Sequence, residues 1–426
     1  MSENLLITIY WKTQFLKLIR MNTIKIGVLR EGKVPPDFRV PLTPKQCAYI
    51  KETYSNVDVL VQRSPIRAFT DQQYENEGLE LVDALDSCDI IVGVKEVNID
   101  DLIPDKSFMF FSHTYKKQPY NRALLKEILN KNIRLIDYEV IKDKRNIRLI
   151  GFGRYAGIVG CYNAFLTYGL KHKLFSLKAA NLCEDRNEVE EQLKKVALPN
   201  NFKCVLTGYG RVGYGAREIL KLLPIKEVSP SDYLENEYNE PVYTQLEVND
   251  YYQRKDGSQF IKQEFYKDPE SFDCIFSKYT GSSDMYIPCH YWSDKAAYIL
   301  TKDDLKREGL RISVVADISC DIDGPIASTI RPSKIKDPIY GYDPISEKEV
   351  NFLDDGAIAV MAVDNLPCEL PKDASEDFGN DLIKHIIPPL LGADPDKVIY
   401  RASQTTLNGE LNEPFSYLQD YVANND

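Results

Sequence analysis

The segment Lys203-Cys-Val-Leu-Thr-Gly-Tyr-Gly-Arg-Val-Gly213 passes from an apolar run with strand character into three glycines, at 208, 210 and 213. Residues 214–223 then carry apolar side chains at helical spacing. A strand, a Gly-x-Gly-x-x-Gly turn and a helix, in that order, is the context in which this pattern has a mechanism. The first glycine permits a tight turn. The second lets a pyrophosphate approach the backbone, and the third lets helix pack on strand. The phosphates then rest on the unpaired N–H groups that open the helix. Gly208, Gly210, Arg211, Val212 and Gly213 are read on these grounds as a dinucleotide site.

A carboxylate at the end of the following strand would accept from the ribose 2′-hydroxyl of NAD. The strand expected at residues 226–229 ends on Ser229, with Asp232 slightly beyond it. Ser229 takes the ribose position on this reading. It does not decide between NAD and NADP.

Working outward, strand and helix patterns alternate along the chain. Strands are expected at residues 25–31, 57–62, 90–94, 107–112 and 133–140, and helices at 44–54, 81–87 and 121–131. Thr43-Pro-Lys-Gln46 opens the first helix with an N-cap, a proline at the first helical position and a capping-box Gln. A Gly-rich link, Gly151-Phe-Gly-Arg-Tyr-Ala-Gly157, leads into a long apolar helix at 158–170. After the fingerprint, strands are expected at 285–292 and 312–319. Residues 234–270, rich in Glu, Tyr, Asn and Gln, read as an insertion because they are too long for a strand–helix loop.

The fold class is therefore α/β, with two Rossmann-like domains built on parallel sheets and an active site in the cleft between them. The expected division is a catalytic domain at 21–155 with 366–426, and a dinucleotide-binding domain at 156–365. Residues 1–20 read as an N-terminal extension. Their apolar run at 5–11 follows a Glu and no basic residue, which makes a poor signal peptide.

Composition narrows the function classes. The chain has 426 residues, 43% hydrophobic and 27% charged, and carries a net charge of −11. An acidic surface argues against nucleic acid and against anionic membranes. No apolar run approaches the roughly 20 residues that cross a bilayer. Nine scattered cysteines without a C-x-x-C, and four histidines without a partner at ligand spacing, point to reduced thiols in a cytosolic protein with no metal site.

A second constellation lies in the first half. Lys95-Glu96 follows the run at 90–94, and His113 follows the run at 107–112. Both fall at the carboxyl ends of consecutive strands, where open α/β sheets bind ligands. A lysine and a histidine in one partly buried cleft disfavour each other's charged form, which suits them to acid–base work. A strand-end surface lysine and a satisfied core histidine remain the alternatives. Arg30, Arg39 and Arg148 offer planar donor forks suited to carboxylates.

Together these segments resemble the alanine dehydrogenase and transhydrogenase superfamily, in particular its saccharopine dehydrogenase and lysine–ketoglutarate reductase branch. Gly27-Val-Leu-Arg-Glu31 and Arg39-Val-Pro-Leu-Thr-Pro44 are similar to its N-terminal motif. Gly93-Val-Lys-Glu96 and Phe111-Ser-His-Thr-Tyr-Lys116 are similar to its catalytic motifs, and Asp137-Tyr-Glu139 follows in order. The run from Val363 to Glu376, with Asp364-Asn-Leu-Pro367 at its start, resembles the saccharopine branch.

The resemblance implies that Lys95 and His113 form the acid–base pair and that Glu96 and Glu139 tune them. It implies that Arg39 and Arg148 clamp substrate carboxylates and that Asp364 lies in the active cleft. The implied reaction is reversible oxidative cleavage of saccharopine to L-lysine and 2-oxoglutarate with NAD, NADP being the alternative. Rival readings are alanine dehydrogenase or another amino-acid or opine dehydrogenase on the same fold, and a non-catalytic dinucleotide-binding regulator.

Overall fold

The computed structural model describes residues 23–34 and 36–423, and the extension expected at 1–20 lies outside them. The chain divides into two compact units. One holds the described residues up to Gly151 and from Pro371 onward. The other is Phe152–Leu370.

The first unit contains β1 (Ile24–Val28), β2 (Val57–Gln62), β3 (Glu80–Val82), β4 (Ile90–Val92), β5 (Ser107–Phe110) and β6 (Arg134–Asp137). They form one sheet in the order β3-β2-β1-β4-β5-β6, with every pairing parallel. The order reverses between β1 and β4, so a crevice opens beyond their carboxyl ends. β4 and β5 are buried along their whole length, which explains why they read as continuous apolar runs instead of alternating ones.

The capping box at Thr43 is present. Its side chain accepts from the Gln46 N–H, and the Gln46 side chain accepts from the Thr43 N–H, ahead of the helix Pro44–Thr53. A second box of the same composition, Thr70-x-x-Gln73, starts a helix at Asp71–Asn76. The helix expected at 81–87 is absent. Its residues supply β3 and a turn, and Leu85 is buried in the core instead.

The second unit opens with the helix Gly153–His172, which starts inside the Gly-rich link and is buried from Gly157 to Gly169. Its eight-stranded sheet uses β7 (Lys203–Thr207), β8 (Lys226–Glu227), β9 (Val242–Leu246), β12 (Met285–Pro288), β13 (Val314–Ala316), β14 (Ile339–Asp343), β15 (Lys348–Val350) and β16 (Ile358–Met361). The order is β15-β14-β16-β13-β12-β7-β9-β8. Six strands are parallel. β14 and β15 are antiparallel additions at one edge, so this sheet is mixed and not purely parallel.

The segment expected as an insertion is corrected by β9. Val242–Leu246 is fully buried and pairs with the fingerprint strand β7 along its length. Only the residues after it leave the sheet. There β10 (Tyr252–Arg254) and β11 (Phe272–Cys274) form an antiparallel ribbon, with Tyr252, Phe265 and Phe272 packed in the unit's core.

Candidate functional site

In the first unit, four loops meet beyond the carboxyl ends of the strands. The loop after β1 brings Glu31, Lys33, Asp37 and Arg39. The turns after β4, β5 and β6 bring Lys95 and Glu96, then His113, then Glu139. Arg148 follows on the descending segment that pairs with Lys142.

His113 Nδ1 lies 2.6 Å from Glu96 Oε1, and its Nε2 lies 3.7 Å from Glu139 Oε2. Lys33 holds the other Glu96 oxygen at 2.8 Å, and Lys116 holds Glu139 Oε1 at 3.0 Å. Burial alone would push the Glu96 carboxyl up, but hydrogen bonds from His113 and Lys33 override it and hold it at about 2. Glu139 is likewise held below the usual carboxylate range, because Lys116 and the charges of Arg148 and His113 outweigh its burial. An ionised Glu96 can only accept, so it takes the Nδ1–H and leaves Nε2 to exchange protons. Glu139 Oε2 is buried and has no hydrogen-bond partner. His113 Nε2, at 3.7 Å, is at ion-pair and not hydrogen-bond distance from it.

The backbone of His113 is left-handed, with φ of 55°, which is uncommon for a residue with a Cβ. A buried network on both sides holds it there. Ser112 donates to Asp137, Thr114 donates to Gln404 at 2.6 Å, and Gln404 donates to Asp137 at 2.9 Å. Gln404 was not recognisable as part of the site from the sequence, and Asp137 stood only within the Asp137-Tyr-Glu139 motif, without a role of its own. Gln404 comes from the C-terminal segment, which runs along the edge of β6.

Lys95 is half-buried, and its charge helps hold Asp37 in the ionised form. Arg39 is buried and donates to Asp37 through Nε at 3.0 Å and Nη2 at 2.6 Å. Arg148 is partly exposed. Its guanidinium lies 5.4 Å from the Phe111 ring centre, on an aromatic cluster of Phe111, Tyr138 and Phe378.

In the second unit, Gly208 has φ of +95°. A Cβ there would meet the Cys289 carbonyl at 2.8 Å, and one at Gly213 would run into the Gly208 carbonyl. A Cβ at Gly210 would meet nothing within 4 Å. Two glycines are therefore required by packing, while the third leaves open space. That space lies at the N-terminus of the helix Arg211–Leu220, whose N-cap Gly210 makes no side-chain cap hydrogen bond. An open approach to uncapped amides fits a pyrophosphate. Arg211 is exposed and Val212 half-buried on the first turn.

Contrary to the expectation from the sequence, Ser229 does not follow a strand next to the fingerprint strand. It follows β8, which lies at the sheet edge and is separated from β7 by β9. Its hydroxyl is used to cap the helix Pro230–Glu235. The strands beside the fingerprint strand are β12 and β9, and the residue that follows β9 is Glu247. Gly208 donates its N–H to the Leu246 carbonyl at 3.0 Å, and Gln245 donates to the Gly208 carbonyl at 2.8 Å. Glu247 is thus the carboxylate on the strand adjacent to the glycine turn. Its one ion pair, with Lys262 at 2.8 Å, is exposed and therefore weak. Asp364 is exposed just after β16, where its charge opposes ionisation of Cys320.

Among the described residues, no three His, Cys, Asp or Glu side chains are placed to share a metal ion, and no helix is long and apolar enough to cross a membrane.

Residues 27–159 match the family Alanine dehydrogenase/PNT, N-terminal domain. The chain is 32% identical over 401 residues to the alpha-aminoadipic semialdehyde synthase of Arabidopsis thaliana, across 84% of this chain and 37% of that protein. It is 26% identical to the NAD⁺, L-lysine-forming saccharopine dehydrogenase of Neurospora crassa, across 82% of this chain and 87% of that one. The chain thus spans less than half the length of the synthase it matches. Among solved structures, an L-alanine dehydrogenase superposes with a TM-score of 0.62 at 16% identity, covering 95% of this chain and all of that one, which is a likeness of fold.

Proposed function

We propose that this chain, whose residues 27–159 are an alanine dehydrogenase/PNT N-terminal domain and which is homologous to saccharopine dehydrogenases, interconverts saccharopine with L-lysine and 2-oxoglutarate. The observation that carries the reading is the His113 imidazole held between Glu96 and Glu139 at the strand ends that also carry Lys95.

In the reductive direction the lysine side-chain amine attacks the 2-oxo carbon of 2-oxoglutarate. A C–N bond forms, and the carbonyl oxygen leaves as water to give a C=N bond. A bound nicotinamide supplies the hydride in this direction and accepts it in the other. The protein's own task is to move protons. The attacking amine must lose one, the departing hydroxyl must gain one, and the product amine must exchange one with solvent. His113 suits the exchange at nitrogen, because Glu96 holds its ring through Nδ1 and leaves Nε2 available. Lys95 serves the oxygen that departs as water.

Of the two arginines proposed to bind carboxylates, Arg148 is the more accessible, since Arg39 is buried on Asp37. Arg148→Ala is expected to raise KM for 2-oxoglutarate, at about 1.5–3 kcal/mol per charge-assisted hydrogen bond lost. Dinucleotide affinity should hold. A fall in thermal stability alone, with KM unchanged, would make Arg148 structural.

The preferred cofactor on this reading is NAD. Glu247 would accept from a ribose 2′-hydroxyl and repel a 2′-phosphate. Glu247→Ser should lower the ratio of kcat/KM for NADH over NADPH by about 10–100-fold, from loss of a charged hydrogen bond. An unchanged ratio would remove Glu247 from the ribose site. The whole reading is tested by oxidation of NADH and NADPH with lysine plus 2-oxoglutarate, set against pyruvate plus ammonia. Turnover only with the second pair would make the chain an alanine-type dehydrogenase.

A further inference from the structure

Glu31 is an acidic side chain of the first unit held by backbone amides. It leaves the loop after β1, crosses to the neighbouring strand and ends on backbone, not on a cation. Oε1 accepts the Val94 N–H at 2.7 Å, and Oε2 accepts the Lys95 N–H at 2.9 Å. The residue is buried.

The two amides lie where the sheet stops holding the chain. The β1–β4 ladder ends with Leu29 donating to the Val92 carbonyl. Beyond that point the strands diverge, and the Glu31 carboxylate takes over as acceptor. On the far side the Val94 carbonyl accepts from the Phe111 N–H at 3.0 Å. The turn Gly93–Glu96 is thereby clamped from both sides. That turn carries Lys95, and it carries Glu96, which holds the His113 ring.

We infer that Glu31 is a positioning residue for the acid–base site: its carboxylate fixes the turn that sets Lys95 and, through Glu96, the imidazole of His113. This rests on the assignment of Lys95 and His113 given above. The clamp needs two acceptor oxygens, which a carboxylate has and a carboxamide or a protonated carboxyl lacks. Burial pushes the Glu31 carboxyl up to about 7 despite the two backbone bonds. The groups that face it are Asp37, which adds to that rise, and Arg39, which opposes it. Lys95 lies beside Asp37, and the phenol of Tyr138, itself raised by burial, faces Glu31 as well. The clamp is therefore complete at pH above about 7 and loosens as pH falls through that value.

The test compares wild type, Glu31→Gln and Glu31→Asp by hydrogen exchange of the 93–97 segment and by pH–rate profiles. The exchange arm needs no turnover. With intrinsic rates corrected for pH, the wild-type Val94 and Lys95 amides should lose protection below about pH 7. In Glu31→Gln they should exchange at least about tenfold faster at pH 8, because one amide faces the carboxamide NH₂. Glu31→Asp keeps the charge and one bond, and should fall between. In the rate arm, Glu31→Gln should lower kcat about 10–100-fold with the KM for dinucleotide unchanged, and its profile should lack the acid limb near 7. Wild-type protection in Glu31→Gln would overturn the clamp. Lost protection with an unaltered kcat and profile would overturn its role in positioning. Absence of any turnover of lysine and 2-oxoglutarate by wild type would sink the proposed reaction, and the exchange result would still decide the clamp.

Discussion

Lys95→Met and His113→Gln each lower kcat by about 10²–10⁴-fold and leave dinucleotide affinity in place, the range expected when a general acid or base is removed. The expectation rests on how tightly His113 is specified. Its ring is fixed through Nδ1 by Glu96, and its backbone is held left-handed by the Ser112, Thr114, Asp137 and Gln404 network. Gln at 113 keeps the bulk and loses the titrating nitrogen. The double variant should lose less than the product of the single losses, because the two groups serve successive proton movements of one reaction. Glu96→Gln adds a signed test. Glu96 is ionised at any working pH, since its carboxyl sits at about 2. That carboxylate fixes the ring through Nδ1, so Glu96→Gln should lower kcat while dinucleotide affinity stays unchanged. Near wild-type kcat for Lys95→Met across the pH range would remove Lys95 from the chemistry and leave the dinucleotide site untouched.

Gly210→Val abolishes dinucleotide binding in a protein that still folds. A Cβ at Gly210 meets nothing within 4 Å, and the residue's φ of −80° suits any amino acid, so the fold has no objection to a side chain. The same open space is the approach to the uncapped amides of the helix Arg211–Leu220, and a valine would fill it. Gly213→Val supplies the contrast. Its Cβ would strike the Gly208 carbonyl, so that variant should lose stability first. Fluorescence titration with NADH, alongside thermal unfolding, separates the two. Unchanged affinity in a folded Gly210→Val protein would place the pyrophosphate elsewhere.

The strand–turn–helix at residues 203–220 was legible in the sequence because three glycines at fixed spacing have one physical explanation, and the structure sets each in the geometry it requires. Lys95, Glu96 and His113 were legible because each follows an apolar run, so the carboxyl-end rule brings them together, whereas Glu139 fell inside an expected strand and came only from the family resemblance. β9 was hidden. Val-Tyr-Thr-Gln-Leu sits in a stretch crowded with Glu, Tyr and Asn, and it pairs with β7 across the intervening β8. Adjacency in the sheet does not follow adjacency in the chain there, so the sequence pointed to Ser229, after β8, and not to Glu247, which follows the strand next to β7. The helix at Asp71–Asn76 carried the same Thr-x-x-Gln box as the first helix, and that signal was available. Glu31 and Asp137 fell inside segments that resemble family motifs but carried no role there, and Gln404 had no signal. Each acts on backbone or on polar groups far away in sequence, and no local pattern marks such a role.

The C-terminal segment gives the first unit a particular order of assembly. Gln404 and Asp137 are separated by 267 residues, and everything from Phe152 to Leu370 belongs to the other unit. During synthesis at about 5–20 residues per second, the chain carrying His113 waits roughly 10–50 s for its partner to be made. Over that interval the second unit, contiguous in sequence, can fold by itself. The edge of β6 stays uncovered, and Asp137 lacks one of its donors. Long-range closure of this kind is slow to form, and the network of Thr114, Asp137 and Gln404 beside His113 is complete only once the C-terminal segment has been made. An incompletely made or partly unfolded chain would then present a dinucleotide fold without an organised proton-transfer site.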